Sequence, residues 1–154
     1  MTTPRHVINL PRIGEKAPDF TVDAYPEGKV SLADYKGKKN VILAFYPKDN
    51  TPGCTKEMCS FTEDLSLFES ANTVVFGVST DTVKSHEEFA GKFNLKHQLL
   101  ADEKFELGRK YGTVGPDRTT ANRVLFVIDK NGFVKHVHEG MPENEKILEI
   151  IRGL

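Results

Sequence analysis

The chain reads as an α/β protein: a three-layer α/β/α domain around a central mixed sheet. Three observations predict it. The runs Val41-Ile-Leu-Ala-Phe45 and Thr73-Val-Val-Phe-Gly-Val-Ser79 are apolar without alternation, as strands buried on both faces of a parallel sheet are. A helical pattern follows each of them. The chain then closes on a hairpin and an amphipathic helix, which adds antiparallel strands to the parallel ones. A length of 154 residues, 28 % charged and 38 % hydrophobic, suits one globular domain with a full-sized core. Residues 1–12 are read as an N-terminal arm and 13–154 as the single domain.

Within the arm, a short strand is expected at Val7–Leu10. Phe20–Val22 and Lys29–Leu32, joined through Pro26-Glu27-Gly28, predict a hairpin, and Ala33–Tyr35 one helical turn. Gly37-Lys-Lys-Asn40 is a loop leading into strand 41–45. Met58, Phe61, Leu65 and Phe68 recur at steps of three and four, which predicts a helix from Cys54 to about Ser70 with that stripe in the core. After strand 73–79, Thr80 or Asp81 is the expected cap of a helix running to about Phe93. Gln98–Ala101 reads as a short strand and Glu103–Tyr111 as a short helix. Arg123–Asp129 and Phe133–His138 flank Lys130-Asn131-Gly132, where Asn-Gly predicts a type I′ hairpin turn. Glu143–Arg152 completes the chain as an amphipathic helix.

A formal net charge of −1 gives no electrostatic case for nucleic acid or an acidic membrane surface. No apolar run approaches the roughly 20 residues of a membrane span, and Met1–Leu10 lacks the pattern of an export signal. A reducing, cytoplasmic setting is therefore expected. Two cysteines in such a compartment are more often catalytic, redox-active or inert than structural.

Those cysteines carry most of the functional information. Cys54 lies on the helical stripe one step before Met58, so it falls in the first turn of a helix, after a strand and a Thr51-Pro-Gly53 turn. There the positive end of the helix dipole and unpaired backbone N–H groups favour the thiolate. Cys59 is five residues on. In an intact helix that spacing gives roughly 7.5 Å of rise and about 140° of rotation, with Cα atoms roughly 8–9 Å apart. The limit for a disulfide is about 7 Å. The two can pair only if the first turns unwind, which fits a redox cycle better than a structural staple.

Other candidates have plainer readings. Cys54 and Cys59 lack the second ligand pair of a structural zinc site. His136 and His138 share one face of a strand and are read as half-exposed residues of an outer strand, with Val137 inward, rather than as metal ligands. His86 and His97 stand alone and are read as surface residues. No phosphate-cradling glycine motif occurs. Glu87-Glu88 and Lys36, Lys38 and Lys39 are read as solvated charge. Neither metal nor cofactor is expected.

The string Pro47-Lys-Asp-Asn-Thr51-Pro-Gly-Cys54 resembles the Pro-x-x-x-Thr-x-x-Cys signature of peroxiredoxins. With a second cysteine at 59, Tyr46–Cys59 is similar to the bacterioferritin comigratory protein, or peroxiredoxin Q, subfamily. Gly14–Phe20, Leu32–Gly37, Gly77–Asp81 and Phe126–Gly132 resemble further family segments in the same order, so the likeness spans roughly residues 12–152. It implies a thioredoxin-like fold and a thiol peroxidase without metal or organic cofactor, acting on hydrogen peroxide and organic hydroperoxides. By the same resemblance Cys54 is the peroxidatic cysteine and Cys59 the resolving one, joined in an intramolecular disulfide that thioredoxin or another dithiol reduces. Thr51 orients thiolate and peroxide, Pro47 screens the pocket, and the N–H groups of Gly53 and Cys54 steady the peroxide oxygens. The family's arginine maps to Arg123, six residues before Asp129; Arg118, in Arg118-Thr-Thr, is the competing position. The family's Trp-containing loop is missing, since the chain has no Trp. A monomer or weak homodimer is implied.

Two rival readings remain. A thioredoxin-like thiol–disulfide oxidoreductase would carry Cys-x-x-Cys at this helix start, and the four-residue gap, Thr51 and Pro47 argue against it. A non-enzymatic holdase of the same fold would not need Pro47, Thr51, Cys54 and Arg123 together.

Overall fold

The computed structural model describes residues 10–154. The strand expected at 7–10 thus lies, but for Leu10, outside the described residues; Leu10 packs against the core. Among the described residues seven strands form one sheet: β1 (Thr21–Tyr25), β2 (Gly28–Ser31), β3 (Asn40–Phe45), β4 (Thr73–Ser79), β5 (Gln98–Ala101), β6 (Val124–Ile128) and β7 (Val134–Glu139). Their spatial order is β2-β1-β5-β4-β3-β6-β7. The centre, β5-β4-β3, is parallel, and the flanking pairs are antiparallel.

Every residue of β3 is buried, and its alternating side chains feed two cores. Val41, Leu43 and Phe45 join Phe76, Tyr111 and Phe126 on one face; Ile42 and Ala44, with Tyr46 just beyond, join Met58, Phe89 and Leu125 on the other. The second face is covered by α1 (Pro52–Glu63), α2 (Leu65–Ser70), α3 (Val83–Phe93) and α5 (Asn144–Arg152). The first carries the short α4 (Glu106–Lys110), the 3₁₀ turn Leu32–Tyr35 and the segment around Ala17 and Phe20. The outer layers are unequal, but the three-layer mixed-sheet reading holds.

Local details differ from the sequence expectations where tertiary partners intervene. The helix expected over 54–70 begins at Pro52 and is interrupted at Asp64 (φ −98°, ψ 9°). Asn144 of α5 donates its amide to the Ser60 carbonyl, the Ser60 hydroxyl and Asp64 Oδ2, a tie that no pattern within 54–70 announces. The cap of α3 is Thr82, which accepts from Ser85 N at 3.0 Å, rather than Thr80 or Asp81. Those two are engaged elsewhere: Thr80 donates to the Thr119 carbonyl, and Asp81 accepts from Ser79 and Asp49. α4 is shorter than expected because Phe105 is left-handed (φ 63°) and Asp102 takes the Leu107 and Gly108 N–H groups.

The β6–β7 turn is not type I′. Only Gly132 has positive φ (90°), and Gly132 N donates to the Asp129 carbonyl. Asp129 Oδ1 accepts from Asn131 N and Phe133 N, which fixes a three-residue loop ending in a left-handed glycine. His86 and His97, read as surface residues, are both buried. Each has found partners for both ring nitrogens: Asp49 and the Leu100 carbonyl for His86, Thr62 and the Met58 sulfur for His97. Burial pulls the His97 pKa down to about 4 and keeps its ring neutral.

Candidate active site

The pairing of the parallel strands β3 and β4 ends with Phe45 opposite Val78, and it is beyond such carboxyl edges that open α/β sheets bind ligands. The chain leaves β3 through Tyr46, whose N–H donates to the Val78 carbonyl, and turns through Pro47–Thr51 into α1. β6 runs antiparallel to β3 with Val124 opposite Phe45. Arg123, one residue before β6, is thereby delivered to the same edge from a point far along the chain.

Cys54 is the third residue of α1 and 1 % exposed. Arg123 Nη2 lies 3.1 Å from its sulfur, and Nη1 lies 2.5 Å from Glu57 Oε1. A fixed guanidinium beside a sulfur lowers the energy of the thiolate relative to the thiol. Burial pulls the Arg123 pKa down, but the hydrogen bond to Cys54 and the charges of Glu57 and Cys54 outweigh it, so the guanidinium holds its proton more firmly than usual. Gly53 makes room for this cation: a Cβ there would lie 3.3 Å from Nη2. Thr51 is the N-cap but makes no side-chain cap bond, which leaves the first-turn N–H groups of α1 open to another acceptor.

Of the remaining sequence-derived candidates, Thr51 is half-buried and its hydroxyl donates to the Lys48 carbonyl at 2.9 Å rather than to sulfur. Pro47 is half-buried in the same loop. Cys59 lies on α1 with Cys54, half-buried, and both thiols are free. Burial, aided by the Glu63 charge, pushes the Cys59 pKa up. Arg118 is exposed and bound to Asn122 Oδ1, so of the two arginines it is Arg123 that reaches the cysteine. His136 and His138 stack at 6.3 Å, half-buried on edge strand β7. Among the described residues no three or more His, Cys, Asp or Glu side chains gather as a metal site, and no helix is long and apolar enough to cross a membrane.

Glu57 went unread in the sequence. It is 2 % exposed, with Oε1 on Arg123 and Oε2 without a partner among the described residues. Burial pushes its pKa up to about 7 against the opposing pull of Arg123. A signal was present: Cys54, Glu57, Met58 and Phe61 fall on one helical stripe, and Glu57 is the lone acid on it. Such a residue must find a buried partner.

Comparison with known proteins agrees with this geometry. The AhpC/TSA family pattern matches residues 13–137. The chain is similar to the peroxiredoxin bcp of Coxiella burnetii, 39 % identical over 148 residues that cover 92 % of this chain and 97 % of that one. It is also similar to the chloroplastic peroxiredoxin Q of Oryza sativa subsp. japonica, 38 % identical over 92 % of this chain and 67 % of that one. Among solved structures, Mycobacterium tuberculosis BcpB superposes with a TM-score of 0.85 at 27 % identity, over 94 % of this chain and 98 % of that one. A mutant PrxQ of Xylella fastidiosa gives 0.86 at 26 %, with the same coverage. With its thioredoxin-like sheet, its cysteine at the start of α1 and these relatives, the chain belongs to the AhpC/TSA family and, within it, to the bcp and peroxiredoxin Q group of peroxiredoxins.

Proposed function

We propose that the protein is a thiol-dependent peroxidase in which Cys54 attacks the peroxide and Cys59 resolves the product, with hydrogen peroxide and organic hydroperoxides as substrates. The observation that carries this reading is the Arg123 guanidinium 3.1 Å from a buried sulfur in the first turn of α1. The Cys54 thiolate attacks one peroxide oxygen; an S–O bond forms and the O–O bond breaks. The leaving oxygen takes up a proton and departs as water or alcohol. Sulfur is oxidised by two electrons to the sulfenic acid and the peroxide is reduced by two.

Arg123 stabilises the thiolate and draws charge from the breaking O–O bond, while the Gly53 and Cys54 N–H groups receive the oxygens. Thr51 contributes a hydroxyl beside the nucleophile, and Pro47 limits water. Glu57 holds the guanidinium from its far side. Because its carboxyl changes charge near neutral pH, it alters how fully Arg123 is committed to sulfur.

The Cys59 sulfur then attacks Cys54 Sγ. A disulfide forms, and the sulfenic oxygen leaves as water with the thiol proton. Both cysteines are on α1, so this step requires the first turns to unwind. In the closed helix Cys59 is held as the thiol; opening it to water lowers the cost of its thiolate. Thioredoxin or a similar dithiol returns the disulfide to two thiols. The cycle starts from reduced Cys54 and Cys59, and the reading carries a cytoplasmic location and a monomer or weak homodimer with it.

The test is consumption of hydrogen peroxide by catalytic amounts of protein with a dithiol reductant present. Sustained turnover supports the reading. Dithiol–disulfide exchange without peroxide consumption would favour an oxidoreductase, and neither activity a binding protein.

A further inference from the structure

Asp49 lies between Pro47 and Thr51 in the loop that leads to Cys54, yet it is only 5 % exposed. Three donors converge on its carboxylate. The Tyr46 hydroxyl lies 2.6 Å from Oδ1, and the Ser85 hydroxyl and His86 Nδ1 both lie 2.8 Å from Oδ2. The Asp49 N–H donates to Asp81 Oδ2 at 2.8 Å, and the same oxygen accepts the Ser79 hydroxyl at 2.6 Å. His86 is fully buried, and its Nε2 meets the Leu100 carbonyl at 2.9 Å.

A carbonyl only accepts, so Nε2 carries a proton. Tyr46 and Ser85 each have a proton to donate, so the contact at Nδ1 is completed by a second proton held between imidazole and carboxylate. The unit is neutral as a whole, with every polar atom partnered, which is the condition under which such groups stay buried.

α3 thus holds Asp49 directly through Ser85 and His86, Asp81 just beyond β4 takes its N–H, and β5 braces His86 from the other side. Asn50 follows in the left-handed region (φ 67°), and then Thr51, whose hydroxyl holds the Lys48 carbonyl. The position of Thr51 and the start of α1 therefore follow from where Asp49 is fixed.

We propose that His86, acting through Asp49, is a positioning residue that keeps the Pro47–Thr51 loop in place as the standing wall of the site while the first turns of α1 open and close against it. The inference rests on the peroxidase reading for the reaction it serves. Opening a helix end and closing it again to the same geometry needs a fixed border, and the buried pair supplies it just upstream of the moving segment.

The test follows two steps separately by stopped flow on the full chain: oxidation of Cys54 by hydrogen peroxide, then formation of the disulfide. Asp49→Ala removes the acceptor of His86, Ser85 and Tyr46 together. It is expected to slow the first step on the order of 10- to 100-fold, as a misplaced catalytic group does, with the second step within about twofold. Asp49→Asn rebuilds every bond around a neutral imidazole. Its oxygen accepts from Tyr46 and its amide donates to Nδ1 and to the Ser85 oxygen, so the first step is expected back within a few-fold of wild type.

A wild-type first step in Asp49→Ala, equal slowing of both steps, or an Asp49→Asn as slow as Asp49→Ala would each overturn the proposal. A second measurement needs neither variant nor peroxide. Nitrogen NMR of His86 in wild-type protein, before and after oxidation with diamide, is expected to show the same doubly hydrogen-bonded ring. A changed ring signal once the disulfide has formed means the loop moves with the helix, and the proposal fails. Absence of any reaction between wild-type Cys54 and peroxide would sink the peroxidase reading instead, and the NMR result would still report on the pair.

Discussion

The two halves of α1 are held by different forces. Pro52–Glu57 carries Cys54 and Glu57, and both are tied to one guanidinium, Arg123, so the grip on this half is ionic and changes with the charge on sulfur and carboxyl. Met58–Glu63 is held by packing and neutral hydrogen bonds. Met58 and Phe61 are buried, Thr62 binds His97 and Lys96 N, and Ser60 binds Asn144. In the proposed cycle oxidation releases one end of this helix, since a sulfenic acid no longer attracts Arg123 as a thiolate does, while the other end keeps its packing and neutral hydrogen bonds. Cys59 sits just past the boundary between them.

The most severe way to break this contrast is to remove the sulfur that switches the first half. Cys54→Ser is expected to abolish peroxide turnover in a coupled assay, because a serine hydroxyl at neutral pH supplies no comparable nucleophile. Cys59→Ser is expected to react once and stop as the sulfenic acid, detected by a sulfenic-acid trap on Cys54. An adduct on Cys59 in the Cys54→Ser protein instead would reverse the assignment.

Next in size is the loss of the cation. Arg123→Ala is expected to slow Cys54 oxidation by about 10²- to 10³-fold, as for other groups that stabilise developing charge. Arg118→Ala should stay within about twofold of wild type, since this exposed side chain binds Asn122 and not the cysteine. The reverse order in a single-turnover rate measurement would exchange the two.

Glu57 gives the first half a pH-dependent stability. Its carboxyl titrates near 4.5 when exposed and at about 7 when folded, so between those values the native protein keeps a proton that the unfolded chain has released. The stabilisation is complete below about 4.5 and is lost as pH rises through 7, a change of roughly 3 kcal/mol across the window. Urea unfolding at several pH values should show this fall, and Glu57→Gln should flatten it. Equal pH dependence in both proteins would mean that Glu57 is not the group responsible.

The second half is tested by packing alone. A Cβ on Gly77 of β4 would lie 2.6 Å from the Met58 sulfur and 2.8 Å from Leu99 Cδ2, so Gly77→Ala pushes α1 off the sheet. A destabilisation of about 1–3 kcal/mol is expected, with little pH dependence. Chemical denaturation reads it, and an unaffected midpoint would show that Met58 can move aside. The smallest change is the most local one. On oxidation, amide exchange should quicken at 54–58 while β3, β4 and residues 61–63 keep their protection. Equal loss along the whole of α1 would erase the distinction between its halves.

Much of the site was readable because it is built from neighbours in the chain. A buried strand, the Thr51-Pro-Gly turn and a helical stripe place Cys54 in a first turn whatever surrounds it. Arg123 was reachable through the family resemblance, by counting back from the strand that carries it. Glu57 could have been found as the odd acid on an apolar stripe. His86 and His97 could not: a lone histidine has the same local appearance whether it lies in water or between two acceptors, and their partners are separated from them by 14 to 39 residues in the chain.

By itself the sequence determined the alternation of strands and helices, the two-faced burial of β3 and β4, and the reactive setting of Cys54. Each depends on interactions within a few residues, where spacing and side-chain type suffice. Only the folded structure fixed where α1 stops, which turn joins β6 to β7, and which partner each buried polar group meets. Those outcomes depend on hydrogen bonds and charges between segments that meet only once the sheet has formed. A buried polar group is stable only with its particular partner, and no local pattern states which partner the fold will bring.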